Sequence, residues 1–129
     1  MLKISQDHMT AFRAQTTDQF VERGVKHLRT HLPEQTDLFS DDDLRARIRA
    51  ANVRARTYGF RSERHIMAFV DTGFLIGPNF ETDKRYPWAS AILANRAMPA
   101  NQRAGMLLGN AERASHYQPP TKRDAAKES

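Results

Sequence analysis

Apolar residues recur three or four positions apart along most of the chain, and this spacing predicts helices almost throughout. Over 5–32 the stripe is Met9, Phe12, Val21, Val25, Leu28 and Leu32. Ser5 suits the N-cap, and Ile4 with Met9 holds the two positions of a hydrophobic staple. Thr16 and Thr17 interrupt the stripe, where a kink or break is expected. Gly24, beside the stripe, leaves room for another helix to approach. Pro33 stops the helix, because the residue before a proline is driven out of the α region.

After a connector over 34–40, a second helix starts strongly. Ser40 caps it, Asp41, Asp42 and Asp43 fill its first turn, and Phe39 and Leu44 form another staple. The three carboxylates complement the positive end of the helix dipole, by up to about 1 kcal/mol each when exposed. That role accounts for them without calcium, whose binding loop requires oxygen ligands spaced around a glycine turn. Leu44, Ile48, Ala51, Ala55 and Tyr58 form the inner face, and Arg45, Arg47, Arg49, Arg54 and Arg56 the outer one, with pairs such as Asp43–Arg47. Gly59 is placed as the left-handed residue that ends this helix, with Phe60 making the accompanying apolar contact.

Ser62 caps a third helix, with Glu63 in its first turn. Ile66, Phe69, Val70, Gly73, Phe74 and Gly77 share one face, and Met67, Leu75 and Ile76 widen the apolar surface, the pattern of a helix buried between others. Asp71 is expected to pair with an arginine of the second helix at the edge of the core. Residues 77–86 form an irregular stretch whose Phe80 and Tyr86 argue for packing. Pro87 suits the first position of a short helix through Trp88, Ile92 and Leu93. A break at Asn95–Met98 precedes a last helix, begun by Pro99 and running to about Ser115, with Ala100, Ala104, Leu107, Leu108 and Ala111 inward. Gly105 and Gly109 weaken it by roughly 1 kcal/mol each relative to alanine. The expected fold is all-α, a single compact bundle of four to five helices over 1–116, with a disordered tail over 117–129.

Composition narrows the chemistry. The 129 residues suit one domain, and the absence of cysteine removes disulfides, thiolate zinc sites and a cysteine nucleophile. No apolar run resembles a signal peptide or a membrane span, so a cytoplasmic chain without membrane contact is expected. A net charge of +5 suits either nucleic acid or an acidic protein partner. His27 and His31 stand four apart on one helical face, yet Leu28 follows the first where a zincin has glutamate, and a third ligand is missing, so solvated boundary residues are expected and no metal. No nucleophile elbow, phosphate-binding glycine loop or paired catalytic carboxylates are present, so no enzyme and no cofactor is expected.

Two surfaces remain. The stretch 45–64 holds seven Arg against one Glu, and Arg45, Arg49 and Arg56 share roughly one face. Without a helix-turn-helix turn or a base-reading arm, this face reads as solvated or protein-contacting before it reads as nucleic-acid-binding. The loop aromatics Phe80, Tyr86 and Trp88 either plug the base of the bundle or, with Asp83 and Arg85 of the neighbouring polar run, meet a partner, tryptophan, tyrosine and arginine being the residues enriched at binding hot spots.

Three strings carry a resemblance: Arg-Ala-Arg-Thr-Tyr-Gly-Phe-Arg-Ser-Glu-Arg-His-Ile at 54–66, Phe-Leu-Ile-Gly-Pro-Asn-Phe-Glu-Thr-Asp at 74–83, and Tyr-Pro-Trp-Ala-Ser-Ala-Ile-Leu at 86–93. Over about 5–115 the chain resembles small bacterial proteins encoded beside spike proteins, adaptors and toxic effectors of type VI secretion systems. Tyr58, Gly59, Ser62, Glu63, Gly77, Phe80, Asp83, Pro87 and Trp88 are its most distinctive positions. Pro78-Asn79 departs from the pattern, which has an acidic residue before the phenylalanine. The resemblance implies a non-enzymatic accessory, an adaptor or chaperone for a secreted effector or its spike. An immunity protein against a neighbouring toxin and a small DNA-binding regulator are the alternatives.

Overall fold

The computed structural model describes residues 6–116, with side chains over 17–115. Its elements are α1 (Gln6–His31), the one-turn α2 (Pro33–Thr36), α3 (Asp41–Thr57), α4 (Glu63–Ile76), a 3-10 turn (Phe80–Thr82), α5 (Pro87–Ala94) and α6 (Ala100–His116). All regular structure among the described residues is helical. The five longer helices form a single all-α bundle. The connector after α1 contributes the one-turn helix, and α1 runs through Thr16 and Thr17 as one helix. The expectations for Ile4, Ser5, the side chains of Met9 and Phe12, and the 117–129 tail fall outside the described residues and side chains.

Local chemistry explains the boundaries. The Ser40 hydroxyl accepts the Asp43 N–H at 3.0 Å, and the Ser62 hydroxyl accepts the His65 N–H at 3.2 Å, so both predicted caps form. At the end of α3 the Phe60 N–H donates to the Ala55 carbonyl and the Gly59 N–H to that of Arg56, a Schellman motif. Gly59 has φ +89° there, and Phe60 is fully buried. Gly77 ends α4 with φ +119° and ψ 149°, a region almost restricted to glycine.

The hub is α4, which packs on α1, α2, α3, α6 and the 3-10 turn. From Phe69 through Phe74 each of its residues is buried, as its apolar circumference predicts. The α1–α3 seam is close. A Cβ added at Gly24 would stand 2.9 Å from Ile48 Cδ1 and 3.0 Å from Met67 Cε. Phe60, Phe69 and Phe80 are fully buried beside Leu28, Leu44, Ile48, Leu93 and Leu107. The Phe69 ring centroid lies 4.9 Å from that of Phe80 and 6.3 Å from that of Phe60.

Candidate functional site

Arg45, Arg49 and Arg56 do share one face of α3, and that face runs along α1. Arg45 Nε donates to Glu22 at 2.7 Å and its Nη1 to Asp42 at 2.6 Å, while Arg49 Nη2 donates to Asp18 at 2.6 Å. Arg56 Nε donates to the Oδ1 of buried Asn52 at 3.2 Å. Glu22 and Asp42 hold the Arg45 guanidinium charged even more firmly than usual. The basic stripe is therefore the partly exposed side of an interhelical ion-pair ladder, and much of its charge is neutralised within the chain.

Other arginines expected on the outer face turn inward. Arg47 makes no Asp43 pair; its Nη2 donates to the Gly73 carbonyl at 3.0 Å, and its guanidinium lies 3.9 Å from the Phe74 ring centroid. Arg54 makes a two-pronged pair with Glu81, Nε and Nη2 each 2.7 Å from a carboxylate oxygen, and also donates to the Pro78 carbonyl. It thereby fastens the 77–82 stretch to α3. Arg103, 4% exposed, donates to the carbonyls of Tyr58 at 2.7 Å and Met98 at 3.1 Å, and lies 5.0 Å from the Phe60 ring centroid. Arg96 Nη2 donates to the Thr57 carbonyl at 2.6 Å. The last turn of a helix leaves carbonyls without intrahelical donors, and here guanidinium groups supply them. Arg103 was readable in the sequence, since it stands in the inward register of Leu107 and Ala111.

The loop residues divide. Phe80, 1% exposed beneath Phe69, is not available to a partner: of its two expected roles, its ring takes that of plugging the core. The Asp83 carboxylate accepts the Arg85 N–H at 2.9 Å and Arg85 Nη2 at 2.8 Å. Arg85 holds the Asp83 carboxyl below the usual carboxylate range. The Arg85 guanidinium lies 5.2 Å from the Tyr86 ring centroid, and Tyr86 meets Trp88 edge to face at 5.8 Å. Arg85 is 72% exposed in its side chain, and Tyr86 and Trp88 are half-buried. Asp83, Arg85, Tyr86 and Trp88 thus form one ordered edge where the loop enters α5. Pro87 starts that helix, as expected.

A third feature departs from the pairing that the sequence led us to expect. Asp71, expected to meet an arginine of α3, faces α1 instead, and His27 Nε2 lies 2.9 Å and 3.0 Å from its two carboxylate oxygens. The side of α4 toward α3 is taken by the Gly73 carbonyl and the Phe74 ring, both held by Arg47. Burial pushes the Asp71 carboxyl up from its usual value, against the opposing effect of His27. The His31 ring stacks tilted on His27 at 4.6 Å. Both histidines line a groove of about 590 Å³ between α1, α2, α4 and α6. Among the described residues no group of three or more His, Asp or Glu stands ready to hold a metal ion. No described helix is long and apolar enough to cross a membrane.

Comparison of the chain with protein-family models, with curated proteins and with solved structures finds no match.

Proposed function

We propose that the protein is a non-enzymatic, protein-binding accessory, an adaptor or chaperone for a secreted effector or its spike protein. The observation that carries this reading is the ordered edge of Asp83, Arg85, Tyr86 and Trp88. Arginine, tyrosine and tryptophan are the side chains that dominate binding hot spots. Here they are pre-arranged: Asp83 holds Arg85, Arg85 lies over Tyr86, and Tyr86 abuts Trp88. Such ordering lowers the entropy lost on association. The resemblance to proteins of type VI secretion clusters supplies the class of partner.

The α1–α3 ladder favours protein over nucleic acid as the partner. Phosphate binding draws on cations free to displace counterions, and Arg45 and Arg49 are matched by Glu22, Asp42 and Asp18. The test is co-purification with the products of neighbouring genes, using the full chain and a Tyr86→Ala/Trp88→Ala variant. The reading expects a stoichiometric complex that the variant loses. It fails if every neighbouring product purifies free of the protein. Rescue of cells from a neighbouring toxin would instead identify an immunity protein.

A further inference from the structure

We infer that the groove between α1, α2, α4 and α6 receives the side chain of a lysine or arginine presented by a partner protein. The groove shares no residue with the 83–88 edge and forms a second site. Its volume of about 590 Å³ falls within the range of ligand-binding clefts, which is a few hundred to about 1,000 Å³. Three elements bring carboxylates to it: Glu34 from α2, Asp71 from α4 and Glu112 from α6. Among the described residues, the basic groups that face them in the lining are the imidazoles of His27 and His31 on α1, so this lining is acidic on a chain whose net charge is +5. Glu112 faces the same groove as Asp71, from the opposite element α6. An anion is therefore a poor fit.

The walls select the form of the cation. Leu32, Leu75 and Leu108 offer apolar surface beside the carboxylates. Lysine and arginine carry a charged head on an aliphatic stem and match both surfaces at once. Asp71 has remaining capacity to accept. A carboxylate offers about four lone-pair sites, and the single ring nitrogen of His27 is its hydrogen-bond partner among the described residues. His27 holds that carboxylate in place at the groove's lining, with its side chain 13% exposed. A guanidinium or ammonium arriving there gains a charge-assisted hydrogen bond in a partly desolvated setting.

The experiment follows the His27 and His31 ring signals of the full chain by NMR. Acetyl-Leu-Arg-Leu-amide and acetyl-Leu-Lys-Leu-amide are titrated in, with acetyl-Leu-Gln-Leu-amide as the neutral control and spermidine as the small-amine arm. Saturable shifts with the basic peptides are expected, with binding weaker by about tenfold for the Gln peptide, the factor set by one charge-assisted hydrogen bond. Glu112→Gln, an exposed change on α6, should weaken the Arg peptide by about threefold, the scale of an exposed ion pair. Equal binding of the Gln and Arg peptides, or no shift with either basic peptide, overturns the assignment. Spermidine binding more tightly than both peptides overturns the partner side chain in favour of a free amine. Because the 83–88 edge is untouched in these titrations, their failure is distinct from failure of the proposed function.

Discussion

His27 Nε2 on α1 sits between the two carboxylate oxygens of Asp71 on α4, 3.0 Å from one and 2.9 Å from the other. With the carboxylate ionised, the ring N–H donates and offsets part of the cost of burying the charge. Removing the ring leaves Asp71 desolvated without its donor. His27→Ala is expected to destabilise the protein by about 1–3 kcal/mol, the cost of an unsatisfied buried polar group. Chemical denaturation measures it, and a double-mutant cycle with Asp71→Asn should show coupling of about 0.5 kcal/mol or more. Additive effects would deny the contact.

The two acids Asp71 and Asp83 should titrate in opposite directions. Burial raises the Asp71 carboxyl, so the folded state holds that proton more tightly than the unfolded chain. Its contribution is fully present below the unfolded value and is lost as pH rises through the folded value. Asp83 is lowered by the Arg85 hydrogen bonds. Its contribution is present above the unfolded value and is lost as pH falls through the folded one. Carboxyl carbon shifts followed by NMR should place the Asp71 midpoint above, and the Asp83 midpoint below, that of a model aspartate.

Arg103 joins the end of α3 to α6 and the turn between α5 and α6. Replacement by methionine keeps the stem and leaves the Tyr58 and Met98 carbonyls without their guanidinium donor. A loss of about 1.5–3 kcal/mol is expected, the range for hydrogen bonds to charged groups. Arg103→Lys should recover only part of it, because an ammonium lacks the planar fork that reaches several carbonyls at once. Urea denaturation of both variants measures the difference.

Two glycine-to-alanine changes should have opposite signs. Gly59 lies at φ +89°, and a Cβ there would stand 2.7 Å from Arg96 Nη1. Gly59→Ala is expected to cost about 1–2 kcal/mol from the left-handed conformation, before any displacement of Arg96. Gly105 is exposed on α6 with open space around its Cβ position. Gly105→Ala should stabilise by about 0.5–1 kcal/mol through helix propensity. Thermal denaturation of the pair measures both signs.

Much of the fold was legible because its signals are local. Ser40 and Ser62 cap, Gly59 with Phe60 terminates, and Pro87 initiates, each through chemistry confined to a few neighbouring residues. The partners of the polar side chains were not legible, since they depend on how helices rotate against one another. The α3 arginines appeared as one solvated face. Packing divides them into Arg45 and Arg49 along α1, and Arg47 and Arg54 folded over aromatic rings. Asp71 met a histidine from a helix more than forty residues away for the same reason. Of the loop residues, composition showed that aromatics were concentrated there, but only the tertiary contact with Phe69 separates Phe80 from Tyr86 and Trp88.

The proposed function rests on binding through the 83–88 edge. Its most direct test is the affinity of the full chain for a co-purifying partner, compared with that of Trp88→Ala. Trp88 is half-buried and packs on Tyr86, so circular dichroism should first establish that the variant keeps its helices. A loss of about 2 kcal/mol or more in binding is expected, the scale of a hot-spot residue, which is roughly thirtyfold or more in Kd. A folded Trp88→Ala protein that binds the partner as tightly as the parent chain would contradict it.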